Sequence, residues 1–280
     1  MALRSVDKLL AGYLALVSVV ILARGDIGSL SNLGMLAAHA LFGVLLYLFT
    51  QLDDETSVGN TIHDLYPLLL VLPLYAEFGL LNDQIGLDRI ITNDRQIQSV
   101  EALIFGGQIS YTLIRDYPSV LLSWILHLAY LAYYPMVLIG PIWLTFRREP
   151  DSARNVLFAT LIAYVFCYVF FVLYPVAGPN YAFEHPTGPV REVLPARIVY
   201  ATLAGGSSVG AAFPSSHVAA TVAATAALWI NWKPLGKQLT VPCILLILGT
   251  VYCQMHYAVD ASAGLATGIG AAWLGKKFGS

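Results

Sequence analysis

Eight stretches of this sequence stay apolar for long enough to cross a lipid bilayer, and they decide most of what the chain can fold into. They run over Leu9–Ala23, Leu33–Thr50, Leu65–Leu81, Val120–Phe146, Val156–Tyr174, Phe213–Trp232, Leu239–Met255 and Tyr257–Leu274. About 20 apolar residues in a helix cross the roughly 30 Å of hydrocarbon, and modest tilt takes up the differences in length. Lipid offers the backbone no hydrogen-bond partner, so each segment is expected to satisfy its own amides as a helix. The expectation is an all-α polytopic membrane helix bundle of roughly eight spans. It forms a single integral membrane domain, residues 1–280, with N-terminal spans and an outer loop in 1–119 and a catalytic core in 120–280. Charged residues are 11% of the chain and hydrophobic ones 58%, where a soluble domain carries about 25% charged residues. The net charge of −2 argues against a nucleic-acid partner. Cys167, Cys243 and Cys253 all fall in apolar segments and read as small hydrophobes.

The basic residues give an orientation. With the N-terminus in the cytoplasm, Arg4, Lys8, Arg147, Arg148, Arg154, Lys233, Lys237, Lys276 and Lys277 lie in short cytoplasmic flanks. Asp53, Asp54 and Glu55 share that side and weaken the bias. Arg24, Arg89, Arg95, Arg115, Arg191 and Arg197 lie outside, mostly in two long loops. The first loop, Asn82 to Pro118, contains Val100–Ile109, which reads either as an interfacial or re-entrant helix or as a surface hairpin. The second, Ala177 to Ala212, carries four prolines and then Gly205-Gly206-Ser207-Ser208, and is expected to be irregular backbone forming part of a pocket wall.

Two short polar strings stand at the entrances of apolar segments: Ala211-Ala212-Phe213-Pro214-Ser215-Ser216-His217 and His256-Tyr257-Ala258-Val259-Asp260. Ionisable side chains are costly at membrane depth, so they mark a functional site. Pro214 suits the first position of a helix. The amides of Ser215, Ser216 and His217 are then free to point at an anion, at the positive end of the helix dipole. His217 titrates near neutrality and can hand a proton to a leaving oxygen. His256 and Asp260 are four apart and share a face if both are helical, so the carboxylate can orient the imidazole as a nucleophile. His39 and His127 fall inside spans and read as interhelical hydrogen-bonding residues, with Glu77 a partner for one of them. His63 and His185 read as loop residues without a role.

Pro214-Ser215-Ser216-His217 and His256-x-x-x-Asp260 resemble the second and third signatures of the type-2 phosphatidic acid phosphatase superfamily, membrane relatives of the vanadium haloperoxidases. The resemblance implies His256 as nucleophile, His217 as general acid and Asp260 as orienter, working through a phosphohistidine. Two features depart from the phosphatases. Their first signature, Lys-x6-Arg-Pro, is absent, and Gly249 and Thr250 stand where the third signature begins Ser-Arg. The branch lacking both is the inositol phosphorylceramide synthase and sphingomyelin synthase group. Tyr174-Pro175-Val176-Ala177-Gly178-Pro179-Asn180 also resembles a stretch of the first of these.

The expected activity is a membrane-embedded phosphotransferase that moves a phosphoryl or phospho-head group, phosphoinositol among the candidates, from a phospholipid or isoprenoid-phosphate donor. The hydroxyl acceptor is a polyol, a lipid or water. With water the enzyme is a lipid phosphatase or pyrophosphatase. The reading from a different class is a non-catalytic lipid-binding or transport protein on the same scaffold. Ser215, Ser216, Arg191, Arg197, Arg115 and Asn180 are the candidate phosphate contacts, since phosphate charge in a partly dry site needs compensation. The roles as assigned call for no metal and no cofactor. The expected location is a plasma or inner membrane, with the site facing away from the cytoplasm.

Overall fold

The computed structural model describes residues 3–24, 29–52, 57–206 and 208–279. Asp53, Asp54, Glu55 and Ser207 lie outside the described residues. The chain is helical throughout: α1 (Ser5–Arg24), α2 (Leu30–Thr50), α3 (Ser57–Asp83), α4 (Leu87–Phe105), α5 (Ile109–Asp116), α6 (Val120–Leu131), α7 (Tyr133–Phe146), α8 (Pro150–Leu173), α9 (Pro179–Ala182), α10 (Pro189–Glu192), α11 (Leu194–Gly206), α12 (Ser216–Asn231), α13 (Lys233–Tyr252) and α14 (Ala258–Phe278). Local chemistry sets several boundaries. Ser29 and Ser119 cap α2 and α6 by accepting the amides of Asn32 and Leu122. Pro150 opens α8, where a missing amide costs nothing. Gly106, at φ 78°, closes α4 in the left-handed conformation.

Each apolar stretch contains a helix, but fewer than eight have the length and composition of a span on their own. Among the described residues five helices are long and apolar enough to cross a membrane: α1, α2, α3 (from Thr61), α8 and α13. A sixth span forms if α6 and α7, bent by 41° at Ala132, count as one. The two helices that begin at the polar strings fall outside that set. α12 has 16 residues, about 24 Å at 1.5 Å per residue, and α14 is rich in glycine and alanine. Their neighbours explain why. α12 packs against α7, α8, α13 and α14, and Val218 to Thr225 are all buried or nearly so. A helix enclosed by other helices needs small residues for close approach more than it needs lipid-facing bulk.

Glycines set that approach. A Cβ at Gly264 of α14 would lie 2.6 Å from the Ser215 carbonyl oxygen, and one at Gly268 would lie 2.6 Å from the Ala219 carbonyl oxygen. α12 and α14 therefore touch backbone to backbone. Farther along, Gly275 of α14 meets Ala159 of α8 in the same way.

The Ser5 hydroxyl donates to the Phe278 carbonyl at 2.7 Å, and Asp64 binds both Arg4 and Arg154. The N-terminus, the start of α8 and the end of α14 thus gather at one end. The polar strings sit at the opposite end of α14, a 21-residue helix about 30 Å long. Between the ends, His39 Nε2 meets Glu77 Oε2 at 2.7 Å, with Ser18 and Tyr13 completing a buried interhelical network. His127 bonds the Ser123 carbonyl within α6. His63, expected in a loop, is a buried residue of α3 at 3.3 Å from Asp7.

The stretch from Asn82 to Pro118 is two helices rather than a hairpin, and Val100–Ile109 is not one unit: α4 ends at Phe105 and α5 starts at Ile109. α4 turns its polar residues inward, burying Asn93, Asp94 and Glu101 beside Ile90 and Ile97. Residues 177–212 carry α9, α10 and α11 between irregular segments. Val176 pairs with this segment's end: its amide donates to Gly210 O and its carbonyl accepts from Ala212 N, both at 3.1 Å. Gly178, at φ 88°, lies so close that a Cβ would sit 2.8 Å from that of Ala212. The Gly-Pro-Asn stretch is thereby pinned beside the entrance to α12.

Candidate active site

The turn between α13 and α14 is built before any side chain acts. Gln254 takes φ 58°, and the amides of Met255 and His256 both donate to Thr250 O. Tyr257 is the N-cap of α14, so His256 stands two residues ahead of the helix. Asp260 is the third residue of α14, and its Oδ2 accepts the Tyr257 amide at 2.9 Å. From α4, Glu101 accepts the amides of Ala258 and Val259 at 3.1 and 2.8 Å. Asp94 accepts the Tyr257 hydroxyl and the Gly178 amide, at 2.9 and 2.8 Å. Burial pushes the Glu101 carboxyl above its ordinary pKa, against the three backbone amides that favour its ionised form.

The facing turn differs from the sequence expectation in register. α12 begins at Ser216 with Ser215 as N-cap, whose hydroxyl accepts the Val218 amide at 3.3 Å. Pro214 therefore precedes the cap instead of opening the helix. The Ser215 amide is not free either: it donates to Asp260 O at 3.1 Å, joining the two strings backbone to backbone. The amides of Ser216 and His217, in the first turn of α12, have no acceptor within the helix.

The two imidazoles meet. Their ring centroids are 5.5 Å apart, and His256 Nε2 lies 3.5 Å from His217 Nδ1. The other nitrogens are held. His256 Nδ1 donates to the Ala212 carbonyl at 3.1 Å, and His217 Nε2 meets the Tyr130 hydroxyl at 3.1 Å. A carbonyl only accepts, so a neutral His256 carries its proton on Nδ1 and keeps the Nε2 lone pair toward His217. The expected hydrogen bond from His256 to Asp260 is replaced by the one to Ala212, because the two residues do not share a helix. Asp260 Oδ2 remains 3.6 Å from Nδ1, close enough for charge but long for a hydrogen bond. Asp260 is fully buried and its Oδ1 has no hydrogen-bond partner. Burial lowers the His256 pKa to about 4, opposed by the Ala212 bond, which favours the charged ring. Tyr133 lies against His217 with ring centroids 4.4 Å apart, and Tyr130 stacks on it at 4.9 Å.

Of the other candidate phosphate contacts, Arg115, Arg191 and Asn180 have protein partners. The Arg115 guanidinium donates to the carbonyls of Tyr111 and Glu184 and to Gln254 Oε1, and lies over the Tyr111 ring. Arg191 lies over Tyr200, 4.3 Å from the ring centre. Arg197 is exposed on α11, and the half-buried Asn180 uses its backbone oxygen to accept from His185. Ser216 stays with the imidazoles. It and His217 border a cavity of about 160 Å³, otherwise lined by Thr202, Gly206, apolar side chains and the tyrosines at positions 75, 130, 133, 134, 164 and 168. Sequence reasoning passed over Tyr130, Ala212, Asp94 and Glu101. Only the two carboxylates carried a signal, as acidic residues in a segment that also holds apolar ones at helical spacing.

Comparison with known proteins adds a family. The family model described as the PAP2 superfamily matches residues 96–274, a stretch that begins inside α4 and includes both imidazoles and all of the cavity's α6, α7 and α8 wall. No curated protein and no solved structure matches the chain significantly.

Proposed function

Because the chain belongs to the PAP2 superfamily, whose members are typically phosphatases or phosphotransferases, we propose that it transfers a phosphorus group from a membrane lipid to a hydroxyl through a phosphohistidine on His256. The observation that carries this reading is the pairing of His256 Nε2 and His217 Nδ1 at 3.5 Å, with the far nitrogen of each ring already held. The His256 lone pair attacks phosphorus, forming a P–N bond as the bond to the departing oxygen breaks. Protonated His217 gives its proton to that oxygen. Positive charge growing on the His256 ring meets the Ala212 carbonyl and the buried Asp260 carboxylate. The first-turn amides of Ser216 and His217 and the Ser216 hydroxyl face the phosphoryl oxygens at the positive end of α12. An incoming hydroxyl then attacks phosphorus, neutral His217 takes its proton, and the P–N bond breaks. Phosphorus entering between the rings has to part them, and the cavity beside His217 gives that ring room.

The acceptor distinguishes a transferase from a hydrolase. The absent first signature and the contacts of Arg115 and Arg191 with carbonyls and rings favour transfer to a second hydroxyl, as in the phospho-head-group synthases. With water as acceptor the same steps make a lipid phosphatase. The basic residues at the far end of the bundle support a site on the extracytoplasmic side. The test is trapping with a phosphorus-labelled lipid donor. Label that is acid-labile and base-stable, and absent from His256→Ala, is the expected result. Turnover preserved in both His256→Ala and His217→Ala would falsify the mechanism.

A further inference from the structure

Helix α4 reaches His256 from two sides. Its inward face carries Asp94 and, two turns on, Glu101, both buried. Each carboxylate meets several donors. Asp94 accepts the Gly178 amide on Oδ1, and the Tyr257 hydroxyl and the Gln98 side-chain amide on Oδ2. Glu101 accepts the amides of Ala258 and Val259, and the Ser110 amide also favours its ionised form. Ala258 and Val259 open α14, and Ser110 stands in the first turn of α5. Two helices thus turn their positive ends toward one buried acid.

Two paths lead from these carboxylates to His256. The first runs to the ring. Asn93, beside Asp94, donates to the Pro175 carbonyl at 2.9 Å, and Asp94 itself holds Gly178. Between those two points Val176 pairs with Gly210 and Ala212. The Ala212 carbonyl in turn accepts His256 Nδ1. The second path runs to the backbone. Glu101 fixes the first two residues of α14, and Asp94 fixes the side chain of Tyr257, which follows His256 directly. Ile97, between the two acids on α4, packs in one cluster with Val176, Ala212, Tyr257 and Val259. α4 therefore sets both where the His256 backbone stands and which carbonyl its ring meets. We propose that Asp94 and Glu101 are positioning residues for His256, through which α4 keeps the Nε2 lone pair aimed at the place where phosphorus enters. The effect on turnover rests on the reading of His256 as nucleophile, and the effect on the ring does not.

Glu101→Gln and Asp94→Asn keep the size of each side chain and weaken only its grip. A carboxylate accepts on both oxygens, whereas a carboxamide has one accepting oxygen and an NH₂ that would face the same amides as a donor. Nuclear magnetic resonance of protein with ¹⁵N-labelled histidine reads the ring directly. The His256 Nδ1 proton, assigned by its loss in His256→Ala, is expected in the wild type as a slowly exchanging signal, because it is buried and bonded to a carbonyl. In both carboxamide variants it is expected to shift and to exchange at least ~10-fold faster. The signal of His63, at the far end of the bundle, is expected to stay in place. In the same variants kcat per mole of folded protein is expected to fall about 10–100-fold with KM within ~2-fold. Ser99→Ala, on the exposed face of α4, is expected to keep the wild-type ring signal and kcat. A His256 signal unchanged in either carboxamide variant overturns the proposal for that residue, whatever its turnover. A wild-type spectrum without that signal, or a loss confined to KM, overturns it for both. A shifted signal with wild-type kcat leaves the positioning standing and overturns His256 as nucleophile. Should either variant fail to fold, Tyr257→Phe, which removes only the hydroxyl that Asp94 accepts, decides in its place.

Discussion

Replacing Gly264 by alanine tests how the two halves of the site are held in register. A Cβ there meets the Ser215 carbonyl oxygen at 2.6 Å and the Val218 Cβ at 3.1 Å. Ordinary contact begins at 3.4 Å, so 3.4 − 2.6 = 0.8 Å of separation has to be found between α12 and α14. Neither neighbouring atom is the tip of a flexible side chain, so the helices themselves must move. Overpacking of this kind costs about 1–3 kcal/mol, and removing a glycine from a helix interior offsets about 1 kcal/mol of that. The net loss of stability is about 0–2 kcal/mol. The effect on chemistry is larger. Separation strains the Ser215–Asp260 backbone bond and carries His217 away from His256. A displacement near 1 Å can cost on the order of 100-fold in rate, so turnover is expected to fall about 10–100-fold while the unfolding temperature changes little. Gly270 lies on the same helix with nothing within 4 Å of its Cβ position, and Gly270→Ala should keep wild-type turnover. The assay is kcat on a lipid phosphate ester beside thermal unfolding, for both variants in one detergent. Wild-type turnover in Gly264→Ala refutes the argument.

The remaining predictions concern the imidazoles. Burial keeps His256 neutral down to about pH 4 instead of the usual 6.5, so the acid limb of kcat/KM should lie near 4, while the need for protonated His217, whose pKa burial and the neighbouring His256 lower to about 3, makes kcat/KM fall as pH rises above that; an acid limb at 6.5 tells against a buried nucleophile. The same lowered pKa means that the unfolded chain takes up the proton first, so stability should decline as pH falls from 6.5 toward 4, which urea unfolding at several pH values checks. Tyr130→Phe removes a hydrogen bond to His217 worth ~1 kcal/mol, so kcat should drop about fivefold with KM unchanged; a change confined to KM would place Tyr130 in binding instead. Asp260→Asn removes a buried carboxyl group but leaves the Ala212 bond that fixes the His256 tautomer. Its kcat should fall about 10–100-fold, less than the ~10⁴ seen where a carboxylate alone sets the tautomer, and a loss equal to that of His256→Ala would show that Ala212 does not hold the ring.

Several of these features were legible in the sequence. Long apolar runs bounded by serine caps and prolines announced the helices, and two histidines at the mouths of such runs announced where chemistry could sit. The meeting of the imidazoles required the two helices to lie side by side, which the small residues of α12 and α14 permit. Other features were hidden for physical reasons. The four-residue spacing of His256 and Asp260 suggests one helical face, but α14 starts only at Ala258, so the ring turns to Ala212 instead. α4 lies in a long outer loop whose Val100–Ile109 reads as an interfacial or re-entrant helix or a hairpin, and its polar residues gave no hint that the carboxylates face inward to hold the amides of Ala258, Val259 and Gly178. The carbonyls and rings beside Arg115 and Arg191 could be read only in space. α12 and α14 fall short of the length and composition of a lipid-facing span because enclosed helices need not be oily.

The amide of Ser215 and the carbonyl of Asp260 make a single 3.1 Å link between segments more than forty residues apart. Its consequence is mechanical: with the close contacts at Gly264 and Gly268 it ties the two halves along one seam. Under the proposed function, admission of a lipid then falls to what surrounds that seam, the His217 side chain and α4. A graft of this chemistry onto another scaffold would have to carry both helices together, with their glycines, or lose the alignment it sought to move.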